Sequence, residues 1–170
     1  MELGIPVVIA LNIYDEAEKK GYSIDINAME KMLGVRIIPT IATKKSGLDD
    51  LLKAVTGIAD NPSLHNPKKL HYEDDIESAA AAIEIHIKNS YPQLAEKYPL
   101  RWLSLKLIEG DTHVMKEINL SGNREFVDEA MIHLKKAHGE DIESIMADER
   151  YAQASGLTHE VLKKPEMKKM

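Results

Sequence analysis

The run Asn61-Pro62-Ser63-Leu64-His65-Asn66-Pro67 divides this chain into two stretches with different hydrophobic grammar. Two prolines and two asparagines so close together break any regular element. Before them, apolar residues come in short continuous runs separated by helical repeats. After them, only helical spacing is readable. A chain of 170 residues has room for one ordinary domain or two small ones. The boundary therefore predicts an α/β portion over 1–60 and an all-helical bundle over 61–170, mostly α overall.

In the first portion, Pro6 to Leu11 is a β-branched and apolar run, as in a parallel strand buried on both faces. A polar loop, Asn12 to Asp15, follows it. Ile26, Met29, Met32 and Leu33 stand at helical spacing behind Asp25 or Asn27 as cap, and Gly34 ends that helix. Val35 to Thr40 is a second short strand. Leu48, Leu51, Leu52 and Val55 mark another amphipathic helix, with Ser46 as the expected N-cap. The order β-α-β-α is half of an open parallel sheet. Two parallel strands cannot cover their own faces and edges. Met1 to Gly4 also reads as the end of a preceding helix closed by glycine. Further strands are thus expected upstream, and self-association through the incomplete sheet is expected of this chain.

In the second portion, Asp74 to Ser90 presents Ile76, Ala79, Ala80, Ile83 and Ile87 on one face. Helices are expected over Leu100 to Glu109, Asp111 to Ile118, Arg124 to His138 (closed by Gly139) and Glu140 to Lys164, where Gly156 is a candidate interruption. With one Phe, one Trp and six Tyr, the core must rest on Leu, Ile, Val, Ala and Met.

The net charge of −6 and the absence of a basic stripe argue against a nucleic-acid partner. The lysines from Lys163 to Lys169 read as a solvated tail, or as a basic segment beside anionic lipid. No cysteine is present, which excludes disulfides and thiolate metal sites. No apolar run approaches the roughly 20 residues of a membrane span. The histidines do not reach metal-ligand spacing: His133 and His138 are five apart, not three or four. The acidic run Glu140, Asp141, Glu143, Asp148 and Glu149 reads as a solvated helix face. No metal site is expected.

The loop Asn12-Ile13-Tyr14-Asp15 follows the first strand at its carboxyl end, where open α/β sheets bind ligands. There a carboxylate can accept from the N1–H and amino group of guanine, and an asparagine amide can donate to purine N7. Taken alone, an Asn-x-x-Asp pair is more often a cap or a turn. A second loop, Thr40-Ile41-Ala42-Thr43-Lys44-Lys45-Ser46-Gly47, leaves the second strand at the same edge, and a backbone N–H near Ala42 could donate to guanine O6.

These two loops resemble the fourth and fifth guanine-nucleotide motifs of small GTPases. In detail, Pro6 to Ala17, Gly34 to Thr40 and Lys45 to Leu52 are similar to the cytosolic GTPase of the ferrous iron transport protein B (FeoB) family. Arg101-Trp102-Leu103-Ser104-Leu105-Lys106-Leu107-Ile108-Glu109-Gly110-Asp111 and Ile145-Met146-Ala147-Asp148-Glu149-Arg150-Tyr151 are similar to the helical, GDI-like domain that follows it. The resemblance implies that Asp15 reads the guanine edge, Asn12 braces the base, and Ala42, with Thr43 beside it, contacts O6 through the backbone. It implies GTP or GDP as ligand, and as partners the rest of the GTPase domain and a transmembrane Fe²⁺ permease, on the cytoplasmic side of the inner membrane. Ile13 stands where most GTPases have lysine, and Ile41 where a small polar residue is usual. No Gly-x-x-x-x-Gly-Lys-Ser/Thr and no Asp-x-x-Gly motif occurs, so neither a phosphate cradle nor a Mg²⁺ anchor is expected, and no GTP hydrolysis by this chain alone. Arg101-Trp102 reads first as a tryptophan packed between helices with the arginine at the surface; the alternative is a polar docking network of Arg101 and Trp102 with Asp148, Arg150 and Tyr151 in the helical domain. The rival reading is a helical interaction module whose α/β portion binds nothing.

Overall fold

The computed structural model describes residues 2–62, 67–119, 124–139 and 141–164. Residues 63–66 of the expected linker, Glu140, and the lysines beyond Lys164 lie outside the described residues. The chain forms two compact units. Their division is not a single cut: the α/β unit takes Ile5–Lys68 and the chain from Gln153 onward, and the helical unit takes Glu2–Gly4 and Lys69–Ala152.

In the α/β unit, strand β1 (Val8–Leu11) leads into helix α1 (Tyr14–Lys19), then a two-residue strand β2 (Ser23–Ile24), helix α2 (Ile26–Leu33) and strand β3 (Arg36–Pro39). β1 and β3 pair in parallel, with Val8 beside Arg36 and Leu11 beside Pro39. Local chemistry sets the ends of α2. The Asp25 carboxylate accepts the Ala28 N–H at 2.9 Å, and Gly34, at φ +68, donates its N–H to the Glu30 carbonyl at 2.7 Å. A 3-10 turn at Ala42–Lys44 precedes helix α3 (Leu48–Asp60).

The N-cap of α3 is Gly47, not Ser46. The loop doubles back there in a bridge between Ile41 and Ser46, and Gly47 takes φ +77. A Cβ at that position would lie 2.2 Å from the Pro39 carbonyl oxygen, so only glycine fits. The amphipathic face of α3 also departs from expectation. Leu48, Leu52 and Val55 are 37%, 63% and 47% exposed, and Ile58 is the buried residue of the helix. A two-stranded sheet offers too little surface to cover that stripe.

The helical unit contains α4 (Asp74–Ser90), α5 (Pro92–Lys97), α6 (Leu100–Ile108), α7 (Thr112–Glu117), α8 (Glu125–His138) and the first half of α9 (Ile142–Val161). Ile76, Ala80, Ile83 and Ile87 of α4 are buried against Leu103 and Leu107 of α6, Val127 and Leu134 of α8, and Met146 of α9. Each such aliphatic side chain contributes about 1.5–3 kcal/mol when removed from water. Asp111 caps α7 through the N–H groups of His113 and Val114, and Gly139 closes α8 at φ +73.

Gly156 does not interrupt α9, which continues to Val161. The expected helix to Lys164 stops there because the next two residues form a strand, β4 (Leu162–Lys163), antiparallel to β2. The Asp25 N–H donates to the Val161 carbonyl at 2.8 Å beside it. The second portion is therefore not purely helical. Among the described residues no helix is long and apolar enough to cross a membrane.

Candidate nucleotide-binding site

Parallel pairing of β1 with β3 brings the loops after Leu11 and Pro39 to the same edge. Asn12 ties them together. Its Oδ1 accepts the backbone N–H of Ala42 at 3.1 Å and the Thr40 hydroxyl at 3.3 Å. Thr40, 2% exposed, adds two backbone links: its N–H donates to Leu11 at 3.0 Å, and its carbonyl accepts from Tyr14 at 3.2 Å. With Oδ1 engaged by the partner loop, the amide nitrogen is the group Asn12 can offer a ligand as donor.

Ile13 lies between these ties at φ +60, a left-handed conformation that costs a β-branched residue roughly 1–3 kcal/mol. The hydrogen bond from Tyr14 to Thr40, and another from the Glu16 N–H to the Ile13 carbonyl at 3.0 Å, hold it there. The residue remains 61% exposed. Strain of this kind persists where neighbouring contacts over-determine the backbone, and it collects at binding sites.

Asp15 sits in the first turn of α1. Its Oδ2 accepts from Lys44 Nζ at 2.5 Å, and Lys19 Nζ is 3.7 Å away. The hydrogen bond from Lys44 holds the Asp15 carboxyl below the usual carboxylate range. Burial opposes that, and the charges of Lys44 and Lys19 add to it. Asp15 is thus an ionised acceptor at neutral pH.

Asn12, Asp15, Ala42 and Thr43 all line one cavity of about 380 Å³, and Ile13 and Lys44 belong to the same lining. Small-molecule pockets run from roughly 300 to 1,000 Å³, so this one suits a single planar ring system better than a large ligand. It offers an ionised acceptor, an amide donor, apolar surface from Ile13 and Ile41, and lysines at one side.

Two features differ from the sequence reading. The Ala42 N–H is already donated to Asn12, so an O6 contact there requires that hydrogen bond to be shared. Lys44 and Thr40 were not singled out from sequence. Lys44 is 29 residues from Asp15, and no local spacing links them.

In the helical unit, Arg101 is a hub. Its guanidinium donates to both Glu77 carboxylate oxygens at 2.6 and 2.7 Å, to Glu2 at 2.9 Å and to the Leu70 carbonyl at 2.8 Å. Glu77 also accepts the Tyr72 N–H at 2.8 Å. The Tyr72 hydroxyl in turn accepts from Arg150 Nε at 2.9 Å, and Arg150 pairs with Glu109. Arg101 and Arg150 are therefore linked through Glu77 and Tyr72. Trp102 is not part of this chain of polar contacts; it stacks on Tyr98 with ring centroids 5.8 Å apart and packs against the core. Asp148 and Tyr151 are exposed, and among the described residues neither joins the network. Helical spacing on α9 accounts for this: Met146 and Arg150, four apart, share the inward face, and Asp148 and Tyr151 fall on the exposed side.

The family model described as ferrous iron transport protein B matches residues 1–55, and that of the FeoB cytosolic helical domain matches residues 72–163. The chain belongs to the FeoB family. A Porphyromonas gingivalis Fe(2+) transport protein A/Fe(2+) transporter FeoB fusion protein is 34% identical over an alignment of 168 residues that covers 94% of this chain and 20% of that protein. The Escherichia coli K12 Fe(2+) transporter FeoB is 31% identical over 81% of this chain and 16% of its own length. This chain thus spans about a fifth or less of those relatives. Among solved structures, a GDP-bound mutant of S. thermophilus NFeoB aligns with a TM-score of 0.79 at 30% identity, covering 95% of this chain and 60% of that one. A GDP-bound mutant of the S. thermophilus FeoB G-domain aligns with a TM-score of 0.81 at 30% identity, over 95% and 61%. The mGMPPNP-bound S. thermophilus NFeoB aligns with a TM-score of 0.79 at 29% identity, over 99% and 61%. The iron-transport family, its guanine-nucleotide-bound structures and its helical domain agree with the reading of the sequence.

Proposed function

We propose that the loops after β1 and β3 form the guanine-reading end of a GTP-binding region that regulates a membrane Fe²⁺ permease. The observation that carries this is the Asn12 side chain, whose Oδ1 locks the Ala42 loop while Asp15 stands ionised in the same cavity. In this reading Asp15 accepts from guanine N1–H and the exocyclic amine, displacing Lys44, and Asn12 donates to N7. Ile13 covers one face of the base in place of the more common lysine stem. Adenine presents no matching donor pair, so it cannot take the place of Lys44 on Asp15. The GDP- and GMPPNP-bound relatives support a guanine nucleotide as ligand. The helical unit then couples nucleotide state to the permease from the cytoplasmic side, with the phosphate-binding part of the GTPase domain supplied by other sequence.

The exposed stripe Leu48, Leu52 and Val55 beside a two-stranded sheet is where that remaining GTPase sequence packs, or in its absence a second copy of this chain. The closure of Asp15 by Lys44 is the one observation that favours the rival reading, a helical interaction module with a self-satisfied, non-binding α/β unit.

Titration calorimetry with GDP, beside ADP and XDP, separates the two. Binding of GDP over ADP, with Asp15→Asn shifting preference toward XDP, supports guanine reading. No binding of any of the three, or an Asp15→Asn change that leaves base preference untouched, overturns it.

A further inference from the structure

His138, the last residue of α8, reaches the start of α4, where Glu73 is the N-cap and Asp75 lies in the first turn. Its Nε2 is 2.6 Å from Asp75 Oδ2, and its Nδ1 is 3.9 Å from Glu73 Oε2. The ring is held in place, its side chain 17% exposed, while Glu73 and Asp75 are 63% and 35% exposed and open to solvent. One donor atom from each of the three residues lies within 4.8 Å of the others. A fourth group braces the set: the Glu149 carboxylate accepts the Glu73 N–H at 3.1 Å. Two carboxylates therefore meet one imidazole, and a third carboxylate stands one hydrogen bond away through the Glu73 backbone.

We infer that Glu73, Asp75 and His138 form a binding site for a first-row divalent cation on the helical unit. One imidazole nitrogen with two carboxylate oxygens is a donor set suited to Mn²⁺, Fe²⁺ or Zn²⁺, and too nitrogen-rich to favour Ca²⁺ or Mg²⁺. Donors bound to one such ion at about 2.0–2.2 Å stand roughly 3–3.5 Å apart. A separation at the 4.8 Å limit must therefore close by roughly 1.3–1.8 Å, while the 2.6 Å contact between His138 and Asp75 opens. The exposed Glu73 side chain has the rotamer freedom to supply it. The protein donors occupy three positions and water fills the rest, which makes the site weak and exchangeable. Glu149 acts outside the ion, by orienting the backbone that carries Glu73. The ion clips the C-terminus of α8 to the N-terminus of α4, residues 63 apart in sequence. The alternative occupant of this geometry is a proton, with an imidazolium paired to first-turn carboxylates and no metal affinity.

This inference does not rest on guanine binding. The test is a Mn²⁺ titration of the whole chain followed by electron paramagnetic resonance, with Zn²⁺ as competitor. One Mn²⁺ should bind at micromolar concentration and be displaced by Zn²⁺. Asp75→Asn and His138→Ala should each weaken it by roughly 10-fold or more, and Glu149→Gln by less. His133→Ala, an exposed histidine on the same helix, should leave it unchanged. Trp102 fluorescence checks that each variant is folded, and Asp75→Asn, which is nearly isosteric, keeps the result readable if His138→Ala does not fold. No Mn²⁺ bound at about a hundredfold above the micromolar range, or binding that survives Asp75→Asn in folded protein, would overturn the site and leave the ion pair as its explanation.

Discussion

Removing the Arg101 side chain should cost the helical unit about 3–5 kcal/mol. The guanidinium is 17% exposed and makes four hydrogen bonds, three of them to the carboxylates of Glu77 and Glu2, which are themselves 19% and 14% exposed. Arg101→Ala leaves two largely buried carboxylates and one carbonyl without their donor. Breaking one side of a buried pair costs about 3–5 kcal/mol, mainly because the remaining charge is desolvated and unpaired. Arg101→Lys restores the charge but not the fork, and should recover only part of the loss. The double change Arg101→Ala with Glu77→Ala should cost less than the sum of the two single changes, by about 1–3 kcal/mol. Trp102 is the only tryptophan and packs within the same unit, so urea unfolding followed by its fluorescence reports on this unit. The hydrogen bonds from Arg101 hold the Glu77 carboxyl below the usual glutamate range. A group with a lowered folded pKa adds stability above its unfolded value and loses it as pH falls through the folded one. The wild type should therefore lose this contribution below about pH 4.5, and Arg101→Ala should show a flatter acid limb. A loss under about 1 kcal/mol for Arg101→Ala, with an unchanged acid limb, would refute the reasoning that this cluster is desolvated and coupled.

Two further outcomes follow from backbone and burial. Gly47→Ala should destabilise the α/β unit by at least about 2 kcal/mol, because it adds left-handed strain to a Cβ 2.2 Å from the Pro39 oxygen; circular dichroism during thermal unfolding measures it. His86→Phe should be neutral or stabilising by about 1 kcal/mol. Its buried Nε2 has no hydrogen-bond partner among the described residues, and its ring already stacks on Phe126 with centroids 4.0 Å apart; a fall in the urea midpoint would count against this.

The sequence alone determined the elements whose causes lie within one or two turns. Asp74–Ser90 and Ile26–Leu33 were readable to the residue, because apolar spacing, the Asp25 cap and the Gly34 stop are all local. The placement of Asn12, Asp15, Ala42 and Thr43 around one cavity was legible for a similar reason. Loops that leave two paired parallel strands at the same end must meet.

What only the tertiary structure decided are matters of long-range pairing. β2 and β4 are two residues each, too short to show a period, and they form because the chain after α9 meets the stretch before α2. The face of α3 was legible but not its fate: periodicity shows that Leu48, Leu52 and Val55 share a stripe, not what surface covers it. Lys44 reaching Asp15, Glu2 reaching Arg101 and His138 reaching Asp75 join residues 29, 99 and 63 apart. The direction of a charged side chain is set by packing of the elements that carry it, and spacing within one element says nothing about a partner on another.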